Sequence, residues 1–303
     1  MTLRSLIPLT ALALLSSATL TAITAHAQNL YVANSASGNN TISIFNPAGV
    51  FQSSISTNLN RPARIAFDSS GNFYAANGGN DTISKFNAAG VFQSSISTNL
   101  SGVIGLAIDS SGDLYAANSG NNTISRFNSA GVFQSSISTN LSGVIGLAID
   151  SSGNLYAANA GNNTISRFNS AGTFISSIST NLNFPYGLTI DASNNIYAAN
   201  FGDNTISIFN AAGAYQGNIN TNLDGPVDVA FDSTGNLYAA NLGNNTISRF
   251  NSAGVFQSSI SGNMNSPGGL AFSPALSSAA PEPGTLVLLA LGGVAVLAKR
   301  RRK

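Results

Sequence analysis

From residue 30 to residue 272 the chain alternates short apolar segments with clusters of Gly, Asn, Ser and Asp. One stretch shows the pattern. Gly105 to Asp109 is small and apolar, and Leu114 to Ala117 is apolar with one Tyr. Thr123 to Phe127 and Val132 to Ser136 alternate in polarity. β-Branched and aromatic residues fill these segments, so the spacing predicts four strands. Ser110-Ser111-Gly112-Asp113 and Asn128-Ser129-Ala130-Gly131 read as four-residue hairpin loops. Their glycines can take a positive φ at no steric cost. No stretch between these limits carries a helical period of 3.6.

The pattern is a repeat. The phrase Leu-Tyr-Ala-Ala-Asn, or a near variant, starts at Leu30, Phe73, Leu114, Leu155, Ile196 and Leu237, at spacings of 43, 41, 41, 41 and 41 residues. The first unit is longer by two residues near Ser35 and Ala36. Residues 87–113 and 128–154 differ at two positions only. Six four-stranded units predict an all-β, six-bladed β-propeller. A Gly-Leu-Ala-Ile-Asp-like strand precedes units two to six, at residues 64–68, 105–109, 146–150, 187–191 and 228–232. The first unit lacks one, and the missing copy stands at the end as Gly269-Leu270-Ala271-Phe272. This C-terminal strand is expected to pair with Leu30–Ala33 as the innermost strand of the first blade, closing the ring and protecting its edges.

Aromatic residues recur with the unit. The columns are Tyr31, 74, 115, 156, 197 and 238; Phe45, 86, 127, 168, 209 and 250; and Phe51, 92, 133, 174, Tyr215 and Phe256. Packing between blades explains them, and a ring of exposed sugar-stacking platforms is the alternative. Pro185-Tyr186-Gly187-Leu188-Thr189-Ile190-Asp191, then Asn195 to Asn200, Asn204-Thr205-Ile206 and Phe209, resembles an NHL repeat. All six units match that pattern across residues 30–273. Two departures stand out. The family's Asp after the Tyr strand is Asn here (Asn34, Asn77, Asn118, Asn159, Asn200, Asn241), and its Arg is Thr (Thr41, Thr82, Thr123, Thr164, Thr205, Thr246). The substitution predicts hydrogen bonds in place of a charged contact.

Composition narrows the function. Charged residues are 8% of the chain, and the overall charge is +1. Between residues 28 and 278, six basic residues and ten Asp leave a net charge of −4. A nucleic-acid binder needs a basic face, and this segment predicts none. There is no Cys, the one His is His26, and the one Glu is Glu282. The propeller therefore holds no His, Cys, Glu or Trp, which removes the usual carriers of acid–base and nucleophilic chemistry.

The two ends read as targeting segments. Residues 1–27 form an expected signal peptide: Arg4, an apolar stretch from Leu6 to Ile23, and cleavage after Ala25-His26-Ala27. A retained anchor is the alternative. The propeller is assigned to residues 28–278. Residues 279–303 carry Pro281-Glu282-Pro283-Gly284, an apolar helix over 285–298, and Lys299-Arg300-Arg301-Arg302-Lys303. As a helix the apolar run spans ~21 Å, short of a ~30 Å hydrocarbon core. Its basic end would stay cytoplasmic, leaving the propeller outside. Motif, short helix and basic end in this order resemble the PEP-CTERM sorting signal. The resemblance implies an exosortase-like membrane processing enzyme as partner. It also implies a Gram-negative, exopolysaccharide-making source, and an inner-membrane anchored stage before the cell surface or extracellular matrix. An ordinary C-terminal anchor is the alternative.

Candidate sites are few. Asp68, Asp109, Asp150, Asp191 and Asp232 each precede a turn, with Ser273 in the sixth place. Bracing that turn is the structural role, and weak ion binding is the other. Asn-rich loops such as Gly120-Asn121-Asn122 suit left-handed backbone, and also sugar hydroxyls. Lys85, Arg126, Arg167 and Arg249 read as a solvated outer face. Arg61, Arg64, Phe184, Tyr186, Asp224 and Asp228 break the repeat in single blades, without forming a recognisable acid–base pair in sequence. The expectation is a non-enzymatic, cofactor-free, monomeric binding module in contact with exopolysaccharide or other surface proteins. The alternatives are a metal-dependent hydrolase or lyase at the central channel, and a purely structural matrix spacer.

Overall fold

The computed structural model describes residues 28–36 and 38–275. The expected signal peptide with Ala25 and Ala27, the Pro281-Glu282-Pro283-Gly284 motif, the expected apolar helix and the basic end all lie outside the described residues. No helix among the described residues is long and apolar enough to cross a membrane.

Twenty-four strands form six four-stranded antiparallel sheets, one per blade. The inner strands are Pro267–Phe272 for blade 1, then Pro62–Phe67, Val103–Ile108, Val144–Ile149, Pro185–Ile190 and Pro226–Phe231 for blades 2 to 6. In blade 3 the others are Leu114–Asn118, Thr123–Phe127 and Phe133–Ile137. The inner strand begins two residues earlier than its apolar pattern predicts and stops one residue before the Asp. The outer strand begins one residue later, because Val132 closes the hairpin turn.

The ring closes as expected. The C-terminal strand pairs with the first, Leu30 opposite Phe272 and Ala33 opposite Gly269. Beyond it, Ser273 N–H donates to Asn29 O and Asn29 N–H to Ser273 Oγ, both at 3.0 Å. This accounts for Ser in the sixth place of the Asp ladder. Blade 1 has no turn there to brace, and the side chain ties the two ends of the ring instead.

Second strands are buried on both faces, which is why they read as near-continuous apolar runs. Tyr74 and Ala76 of blade 2 pack on Leu114 and Ala116 of blade 3. Alanine at two positions lets the blades approach. Phe45, Phe86, Phe127, Phe168, Phe209 and Phe250 are fully buried. Each contributes roughly 1.5–3 kcal/mol by leaving water. The third aromatic column stacks edge-on against the second within each blade, at 5.8–6.0 Å. It remains partly open, with Phe133 38% and Tyr215 40% exposed.

The Asn-for-Asp and Thr-for-Arg exchange produces a neutral network. Asn118 Nδ2 donates to Thr123 Oγ1 at 3.1 Å and to Ser125 Oγ at 2.9 Å. Ser125 Oγ donates to Asn99 O at 2.6 Å, and Asn118 Oδ1 accepts the N–H of Ser101. The motif recurs in every blade and ties the outer-to-inner loop to the second strand. It marks one face of the ring, and the Asp turns mark the other.

Candidate functional site

The third residues of the inner strands form one column, its glycines set against the inner strand of the next blade. In chain order the column is Arg64, Gly105, Gly146, Gly187, Asp228 and Gly269. The four glycines are required by proximity. A Cβ on Gly105 would meet the carbonyl of Ile145, one on Gly146 that of Tyr186, and one on Gly269 that of Ala63. A register shift in each of these strands takes Gly105, Gly146 and Gly187 out of the ladder, whereas Arg64 and Asp228 stay paired, opposite Ala76 and Ala240, with the skipped residue just before them. Such bulges re-aim side chains.

Two blades put charge in this column, and the fold brings the charges together. Arg64 Nε lies 3.4 Å from Asp228 Oδ1, each side chain 7% exposed. The guanidinium also donates to Val227 O at 2.6 Å and to the Gly268 carbonyl. Asp228 Oδ2 accepts the N–H of Leu270 at 2.7 Å. Blade 1 stands between blades 6 and 2, so the pair spans its closing strand, where Gly269 leaves the room. Burial pushes the Asp228 carboxyl above its ordinary range, opposed by the guanidinium and by backbone N–H donors. The sequence offered no pair because the two residues meet only when the ring closes.

Toward the face that carries the Asn network lies a cavity of about 280 Å³. Arg61, Arg64, Tyr186, Ser35, Ser119 and Leu242 are among its walls. The loop position entering each inner strand has a left-handed backbone in all six blades. Its φ is 50° at Arg61, 57° at Gly102, 56° at Gly143, 54° at Phe184, 58° at Gly225 and 52° at Ser266. The conformation is imposed from the preceding blade. Asn40 Oδ1 accepts the N–H of Arg61 at 2.8 Å, and Asn163 Oδ1 that of Phe184 at 2.7 Å. Several Asn in the Asn-rich loops, such as Asn122 and Asn163, are themselves left-handed. Three blades answer with glycine. Blades 2 and 5, opposite each other in a ring of six, place Arg61 and Phe184 there at a steric cost of ~1–3 kcal/mol each.

Phe184 belongs to an aromatic cluster. Its ring centre is 5.9 Å from Tyr186 and 6.1 Å from Phe201, and those two are 5.8 Å apart. Phe184 is 42% exposed and Phe201 38%. Tyr186 also lies 5.9 Å from the guanidinium carbon of Arg64. Arg61 is exposed and forms no ion pair among the described residues.

The ladder Asp68, Asp109, Asp150, Asp191 and Asp232 is placed outside the channel, on the opposite face. Each carboxylate accepts two backbone N–H bonds within its own turn. For Asp150 these come from Ser152 and Asn154, with Asn154 Nδ2 on its other oxygen. Desolvation raises the Asp109, Asp150 and Asp232 carboxyls, but the hydrogen bonds outweigh it and hold them below the ordinary range. Among the described residues no three acidic or other metal-ligating side chains cluster.

The basic column departs from the solvated face expected of it. Lys85, Arg126, Arg167 and Arg249 each lie over the tyrosine directly across the ladder, 5.1–5.7 Å from its ring centre. Arg126 also meets Asp113 at 2.8 Å, and Arg167 meets Asp150 at 3.8 Å. Burial, offset in part by these cations, pushes Tyr115, Tyr156 and Tyr238 up to about 12. Where the column has Ile44 and Ile208, they stand across from Tyr31 and Tyr197. Aromatic and cation are therefore one structural unit.

Residues 13–285 match the family described as virginiamycin B lyase. Residues 279–303 match the PEP-CTERM protein-sorting motif. No match was found among curated proteins. Three solved structures share the fold. One is a nidogen/laminin complex, with TM-score 0.73 and 20% identity, covering 82% of this chain and 99% of that one. Another is selenomethionine-substituted virginiamycin B lyase from Staphylococcus aureus, with TM-score 0.62 and 16% identity, covering 83% and 93%. The third is a catalytically inactive histidine-to-alanine variant of the S. aureus lyase with quinupristin, with TM-score 0.60 and 16% identity, covering 80% and 87%.

Proposed function

The chain belongs to the virginiamycin B lyase family, and from that membership and its sorting motif we propose that it is an exported, non-catalytic binding module. It works at the cell surface or in the extracellular matrix, in contact with polysaccharide or other surface proteins. An exosortase-like enzyme sorts it through the PEP-CTERM segment. One observation carries the non-catalytic reading: Asp228, the one carboxylate in the inner-strand column among the described residues, is bound by Arg64 and by backbone. It has no free geometry for proton transfer. The S. aureus relative is inactive once a histidine is replaced, and the only histidine of this chain, His26, precedes the first strand.

The family's name favours a lyase as the second reading. A metal-assisted version does not fit the channel. A divalent ion takes several oxygen ligands, and here one carboxylate stands beside a guanidinium. The test is metal content by mass spectrometry, melting with calcium and with EDTA, and incubation with quinupristin. The binding-module reading expects no stoichiometric metal, no EDTA-dependent fall in melting temperature, and intact quinupristin. Turnover, or a tightly held metal, overturns it. Retention on a polysaccharide column separates a binding module from a mere spacer.

A further inference from the structure

We infer that the channel mouth is a binding site for a carboxylate-bearing sugar unit, with Arg61 taking the carboxylate and the Phe184–Tyr186–Phe201 cluster taking the ring. The inference rests on the polysaccharide branch of the proposed function and assigns it a site and a ligand class. Three independent observations converge on this mouth.

The first is backbone strain in the wrong residues. The loop position before each inner strand has positive φ in every blade, and glycine holds it in blades 3, 4 and 6. Ser266 holds it in blade 1, and the two large side chains, Arg61 and Phe184, hold it in blades 2 and 5 against their own preference. Such outliers persist where the surroundings impose them and the side chain serves a purpose. Glycine occupies the same position in sibling blades, so the fold itself does not require these side chains.

The second is complementary chemistry across the opening. Arg61, on blade 2, is an exposed guanidinium with no ion pair among the described residues. Blade 5 opposite supplies partly exposed aromatic rings at 5.8–6.1 Å from one another. A guanidinium binds a carboxylate in a fork of two hydrogen bonds. An aromatic face takes the apolar C–H face of a pyranose. Ser35 and Ser119 line the same cavity; their hydroxyls donate to Ser266 O and Gly102 O, which leaves each oxygen to accept from a ligand hydroxyl.

The third is size. The cavity of about 280 Å³ lies just below the ~300–1,000 Å³ typical of ligand pockets. Arg64 and Val227 are among its walls, so the cavity reaches the residues that hold the buried pair. Such a volume suits one sugar unit.

Calorimetry on the full chain in detergent tests this with oligogalacturonate, a neutral glucan of equal length, and a polyglutamate peptide. The acidic oligosaccharide should bind, and the other two should bind about tenfold more weakly or worse. Arg61→Gly and Phe184→Gly should each weaken that binding by about tenfold while leaving the melting temperature unchanged or higher, since glycine suits the backbone there. Arg61→Lys should recover part of the affinity, and added salt should lower it. Equal binding of the neutral glucan, insensitive to Arg61→Gly, overturns the acidic-sugar assignment and leaves the polysaccharide reading standing. Equal binding of polyglutamate overturns the sugar. Binding unmoved by both glycine variants overturns the site. No binding of either oligosaccharide overturns this inference, and no retention on polysaccharide columns overturns the wider reading separately.

Discussion

Six buried asparagines show what a neutral polar network can do where an ion pair would otherwise sit. Each donates twice and accepts at least once, and its neighbouring serine carries the bond on to the loop of the adjacent connection. A buried ion pair there would carry a large desolvation cost at each of six positions. The neutral triad satisfies every partner and avoids that cost. Asn118→Ala removes the shared partner of two hydroxyls and two backbone groups, and should cost ~1–3 kcal/mol in denaturant unfolding. A loss within ~0.5 kcal/mol, the range of an inert surface change, would show that water takes over the network. The turn aspartates add a pH dependence of definite sign. Hydrogen bonding holds the Asp109, Asp150 and Asp232 carboxyls below their unfolded range despite burial. Their stabilisation is complete above that range and disappears as pH falls through the folded values. Melting temperature should therefore decline between about pH 5 and about pH 2. A flat profile there would mean that the turn bonds add nothing.

The closing strand, Pro267–Phe272, is the element on which the ring depends, and the Arg64–Asp228 pair spans it from both sides. Removing one partner leaves a buried charge without its counterion. Arg64→Met should therefore cost ~3–5 kcal/mol, while Arg64→Met with Asp228→Leu should recover most of the loss. Hydrogen exchange at Leu270 should report the single variant as local opening of this strand. Equal losses in the single and the double variant would reduce the pair to a bystander. The strands themselves were legible because a period of two, punctuated by Gly and Asn, survives in every unit. So was closure, since one copy of the inner strand is missing at the start and present at the end. The mouth was legible only in part: Arg61, Arg64, Phe184, Tyr186, Asp224 and Asp228 broke the repeat, which flagged them. Their grouping was hidden, because it depends on which blades a ring of six sets side by side or opposite. Phe201 was missed although it also breaks the repeat, standing where the other blades have Ser35, Gly78, Ser119, Ala160 and Leu242. The cation column was misread as solvated for a simpler reason. Each cation lies directly across the ladder from a tyrosine, and that register exists only after the hairpin is built.

At the scale of the whole chain, the ring and the sorting segment are adjacent in sequence, and the order matters for export. The last strand ends at Phe272 and the motif begins at Pro281. All 24 strands therefore precede the motif, and a cut at or near Pro281-Glu282-Pro283 removes nothing the ring needs. The same arrangement makes closure a late event. The first strand is left without its inner neighbour until the chain has been exported as far as Phe272, just before the sorting segment follows. All the strands of the ring are thus available before any cut at the motif, and under the proposed sorting the fold would be the same before and after it. Replacing Pro281, Glu282 and Pro283 by Ala should then leave full-length protein in the membrane fraction. The strands and their pairing are untouched, so its melting temperature should equal that of the released wild-type propeller. Fractionation with immunoblotting reads the first outcome and thermal denaturation the second. Normal release of the triple variant would sink the sorting role of the motif, and retention with a lowered melting temperature would show that the segment also contributes to the ring.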